Sequence, residues 1–159
     1  MGRISLYAGP ALVLAFLVNA QPLRPNPASP PPDLKSARPL ATLAGIELRL
    51  ETECWIDAMP PVPQDGALLH ALVNIVALKA AIPKGMEIVQ AWLIRGEGPP
   101  LAAEDIETPP SGSPNRIAAV ATFRVKRAEA GAVRVSVELE APSSRVHLTS
   151  SLVEVGRVN

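Results

Sequence analysis

The feature that most constrains this chain is a two-residue alternation of apolar and polar side chains that recurs along its C-terminal two thirds. Val133, Val135, Val137 and Leu139 are interleaved with Arg134, Ser136, Glu138 and Glu140. Successive side chains of a strand point to opposite faces, so this pattern buries one face of a strand and solvates the other. On a helix the same residues would scatter around the circumference. Ile46, Leu48, Leu50, Cys54 and Ile56 alternate in the same way with Glu47, Arg49, Glu51 and Glu53. So do Ile117, Ala119, Ala121, Phe123 and Val125 with the residues between them.

Other segments fill in the set. Residues 68–80 are apolar at both phases, which suits a central strand and its crossing turn, although their Ala and Leu content also suits a helix. A turn at Pro83-Lys84-Gly85 precedes a strand over 87–95 built around Trp92. Strands over 145–148 and 152–155 follow, with a phase slip between Leu152 and Val153 that reads as a bulge. Residues 96–115 hold five prolines and two acidic clusters, and read as a long loop with one helical turn near Glu104-Asp105. Short strands separated by Pro, Gly and Ser turns predict an all-β fold, an immunoglobulin-like antiparallel β-sandwich of about seven strands spanning residues 40–159.

Two segments precede that domain. Residues 1–20 read as a signal peptide: Arg3 supplies a positive start, residues 11–18 are an uninterrupted apolar run, and Val18-Asn19-Ala20 offers a cleavage site before Gln21. The apolar run is short for a spanning helix, which needs roughly 20 residues, so no stable membrane insertion is expected once the leader is removed. Residues 21–39 hold seven of the 18 prolines, Pro30-Pro31-Pro32 among them. Proline fixes φ and lacks the backbone donor, so this stretch reads as a proline-rich, disordered tether of polyproline II character. The chain is expected to be exported, to a periplasmic or extracellular location.

Composition excludes several functions. Fifteen Lys and Arg balance 15 Asp and Glu, which gives no electrostatic reason to expect nucleic acid as a partner. Aromatic residues are only 3% of the chain, too few for a base-stacking platform. One cysteine rules out an intramolecular disulfide framework, and Cys54, on the apolar phase of its strand, reads as buried and inert rather than paired with a partner.

The segment Trp55-Ile56-Asp57-Ala58-Met59-Pro60, followed by Asp65-Gly66, resembles a group of uncharacterised exported bacterial proteins with a W-x-D-x-M-P element and a D-G turn. The resemblance continues at Pro83-Lys84-Gly85 and at Ala91-Trp92 through Arg95-Gly96, and covers most of residues 46–155. Ile56 and Ala58 stand where that pattern carries an arginine and an aromatic residue. The group has no established activity, so the resemblance implies a small exported sandwich and nothing catalytic.

If Cys54 and Ile56 face the core, Trp55, Asp57 and Met59 share the opposite face with Glu51 and Glu53 and form a candidate binding surface. The competing reading has the loop over 60–66 fold back on Trp55, with Asp57 fixing the turn. A metal site would draw on His70, His147, Met86, Met59 and Cys54, but no two histidines stand at a ligand spacing. Ser150-Ser151 follows His147 without a Gly-x-Ser-x-Gly elbow, and Gly96-Glu97-Gly98 precedes two prolines rather than a helix, so neither a nucleophile nor a phosphate cradle is indicated. The expectation is therefore a non-enzymatic binding or accessory module for a protein or cell-envelope partner, with no cofactor. It would act through a sheet edge or the Trp55–Met59 segment. A copper-type metal-handling protein and a structural subunit assembling by strand exchange are the alternatives.

Overall fold

The computed structural model describes residue 34 and residues 37–57, 66–110, 112–126 and 131–158. The segment read as a leader, most of the proline-rich segment, Met59 and residues 60–65 lie outside the described residues. Ten strands follow in order: β1 (Leu40–Leu43), β2 (Ile46–Asp57), β3 (Ala67–Ala77), β4 (Glu87–Ile94), β5 (Leu101–Ala102), β6 (Asp105–Glu107), β7 (Arg116–Val125), β8 (Ala132–Ala141), β9 (Ser144–Thr149) and β10 (Val153–Val158).

The all-β sandwich read from the alternation is what the chain forms, as a curled sheet running β5-β4-β8-β10-β2-β3-β7-β6, with β1 on β2 and β9 on β8. One wall is β4, β8 and β9, and the other is β2, β3 and β7. β3 is central, pairing antiparallel with β2 from Leu69 to Ala77 and with β7 from Ala67 to Val76. This central place explains the apolar residues at both phases of β3, and its burial alternates residue by residue along its whole length. The ladder is not wholly antiparallel, because β10 runs parallel to β2, Val155 opposite Cys54.

Three short segments carry the sheet around its corners. Arg38 bridges Leu148 of β9, and Arg38 O accepts from Thr149 N, before the chain turns into β1 on β2. Residues 101–107 pass from β4 to β7: Leu101 and Ala102 pair with β4, Ala103 N donates to Ala91 O, Glu104 N donates to Thr122 O, and Asp105 to Glu107 pair with β7. Within the region 96–115 read as a loop, two short strands therefore stand where a helical turn was expected near Glu104-Asp105. β10 pairs with β8 at Val153 and Glu154 and then with β2. These crossings cover most of what would be open strand edges.

The core is what the alternation demands. Leu48, Ile56, Ile75, Phe123, Val135 and Leu139 are among its fully buried side chains. Paired alanines, Ala71 against Ala121, face inward between the larger residues and let the walls approach. Gly66 is needed where β3 begins. Its φ is +126°, and a Cβ there would lie 2.5 Å from Val125 O at the end of β7. The hydrogen-bonded domain reaches back beyond residue 40, since Leu50 N donates to Pro39 O and Leu34 is buried.

Candidate functional site

The outward phase of β2, β3 and β7 forms the candidate site. Register aligns Gly156 of β10, Trp55 of β2, His70 of β3, Thr122 of β7 and Asp105 of β6 in one row across the sheet. Directly opposed outward residues in neighbouring strands have Cβ atoms close enough to touch. Trp55 and His70 accordingly stack, with ring centroids 5.6 Å apart and an interplanar angle of 26°. His70 Nδ1 lies 3.2 Å from Thr122 Oγ1, which fixes the imidazole on its other side. On the β10 side of Trp55 the neighbour in register is Gly156, which has no side chain. The indole is thus braced by His70 on one flank, has no in-register side chain on the other, and stays half-buried.

The next row is Glu53, Leu72, Val120 and Glu107, and the one beyond it contains Glu51, Asn74 and Ala118. Leu68, Leu72, Val76 and Val120 are all half-buried. The face therefore has an apolar and aromatic centre, with Glu53 on one border and Asp105 and Glu107 on the other. Arg124 is held against Glu104 by two hydrogen bonds, Nε to Oε1 at 2.9 Å and Nη2 to Oε2 at 3.2 Å. That pair pins the crossing segment to β7 beside the row.

Of the residues predicted from sequence, Trp55 and Asp57 do face outward with Glu51 and Glu53. Asp57 is exposed at the end of β2, opposite Val158. Met59 lies outside the described residues. His70, set aside in the sequence as a metal candidate, is the residue that completes the Trp55 surface. No spacing signal could have shown this, because Trp55 and His70 meet only through the β2–β3 register.

The other metal candidates stand apart. Met86 is buried in the core, and His147 sits on the outward phase of β9 in the opposite wall, tilted against Trp92 at 5.6 Å between centroids. Among the described residues no group of three His, Cys, Asp or Glu side chains is placed to hold a metal ion. Cys54 is buried and faces the core, and burial pushes its thiol up to about 11. Ser150 is buried and structural: its hydroxyl accepts from Val135 N and donates to Ser151 O.

Set beside known proteins, the chain matches no family model and no curated protein.

Proposed function

We propose that this chain is an exported, non-catalytic binding module whose working surface is the outward face of β2, β3 and β7. The observation that carries this reading is the half-buried Trp55 stacked on His70 at the border of the apolar patch of Leu68, Leu72 and Val120. Aromatic residues in such settings supply large contact area at small entropic cost, and they dominate binding energy where they can be desolvated. The partner that suits the face is a protein surface with an apolar centre and basic residues on its rim, matching Glu53, Asp105 and Glu107. Export rests on the leader-like residues 1–20 and agrees with the exported group that the Trp55–Pro60 segment resembles.

Site-specific photocrosslinking in the native host tests this. A crosslinker at Leu72 or Val120 is expected to trap one defined partner, and Trp55→Ala in the same chain to abolish the adduct. Crosslinkers at Arg134 and Glu140, on the opposite wall, serve as controls. Equal trapping from both walls, or an adduct indifferent to Trp55, would contradict the reading.

A further inference from the structure

A second surface lies where β4 and β7 part at the end of the barrel. A cavity of about 550 Å³ opens there, within the size range of small-molecule sites. Its apolar surface comes from Leu101 of β5 and from Pro99 and Pro100, while Leu93 of β4, the register partner of Leu101, is 1% exposed and belongs to its floor. Its lip is the turn after β4, closed by Gly98 N donating to Arg95 O at 3.2 Å and stiffened by Pro99-Pro100.

The charge around this cavity is one-sided. Arg95, Arg124 and Lys126 line it, and no acidic residue does. Glu104 neutralises Arg124. Among the described residues Arg95 and Lys126 have no carboxylate partner, in a chain whose overall charges balance. A concave site with an apolar wall and cations of one sign focuses a positive potential into its mouth. A cation there gains most from an anion whose remainder covers the apolar wall, since a fully hydrated anion gives up solvation without burying apolar area.

We propose that this groove binds a small amphipathic carboxylate, with its carboxylate between Arg95 and Lys126 and its apolar body against Leu101, Pro99 and Pro100. Arg124 borders both surfaces, but Arg95, Lys126 and Leu101 take no part in the Trp55 face, so either site can fail without the other.

The test is titration of the full mature chain with decanoate below its micelle concentration, followed by calorimetry and backbone amide shifts. Saturable binding is expected, with shifts confined to residues 93–101 and 124–126. The double variant Arg95→Gln/Lys126→Gln should weaken binding by about tenfold or more with an unchanged melting temperature, because both charge-assisted contacts to the carboxylate are lost. Acetate and decyltrimethylammonium should leave the groove resonances unmoved. Absence of saturable decanoate binding, equal affinity in the double variant, or equal shifts from the cationic amphiphile would overturn the proposal.

Discussion

The two tryptophans occupy opposite walls, and each is paired with a histidine at 5.6 Å, yet their surroundings differ completely. Trp55 sits on the outward phase of β2 and stays half-buried. Trp92 sits on the outward phase of β4, opposite Ser136, and is 5% exposed. Around Trp92 the sealing is thorough. Ser136, outward on β8, is 0% exposed; it donates to Leu148 O and accepts from Thr149 Oγ1 at 3.0 Å. Neither Trp92 nor Leu34 belongs to the principal core cluster, although both are buried. One outward face thus acts as a second small core, with its hydroxyls paired to one another as burial requires. The other leaves its aromatic residue half-buried, and an apolar sheet face that the described residues do not seal is where a partner gains most.

This contrast can be broken by mutation. Val135→Asp removes the support common to both faces: it places a charge at a 0% exposed core position and should abolish cooperative unfolding by circular dichroism. A folded, cooperative variant would refute the β8 assignment. Trp92→Ala should cost about 3–5 kcal/mol in denaturant unfolding, as large-to-small changes at buried aromatics do. Trp55→Ala should cost about 1 kcal/mol or less while abolishing partner capture; a loss equal to that of Trp92→Ala would make Trp55 a packing residue. Ser136→Ala leaves the Thr149 hydroxyl without its acceptor and should cost roughly 1–3 kcal/mol, against about 0.5 kcal/mol or less for Thr122→Ala on the open face.

A small effect of opposite sign is expected at the turn between β1 and β2, which the sequence pattern does not mark. Ala44 and Gly45 both have positive φ, 51° and 77°, and join β1 to β2 as a two-residue hairpin. Alanine is a poor residue for that conformation, so the usual Asn-Gly signal is missing and β1 went unseen. Ala44→Asn should raise stability by a few tenths to about 1 kcal/mol.

Much of the rest was legible. Strict alternation gave β2, β7 and β8 with their inward residues, because burial on one face leaves that trace directly in the chain. Residues 101–107 were not legible. They form two-residue and three-residue strands set by pairing with β4 and β7, too short to show a period. The candidate site was half legible. The phase of β2 placed Trp55 and Asp57 outward, but His70 joined them only through register, and alternation alone carries no mark of which outward face is covered. Trp92 shows this most clearly: its phase says solvent and its surroundings say core.

Acrylamide quenching of the single-tryptophan variants Trp55→Phe and Trp92→Phe tests the central contrast most directly, since a neutral quencher reports access without regard to the acidic border. The chain that keeps Trp55 should emit at longer wavelength and be quenched readily, and the chain that keeps Trp92 should emit at shorter wavelength and be protected. Equal quenching of the two, or protection of Trp55, would contradict an open binding face on β2, β3 and β7.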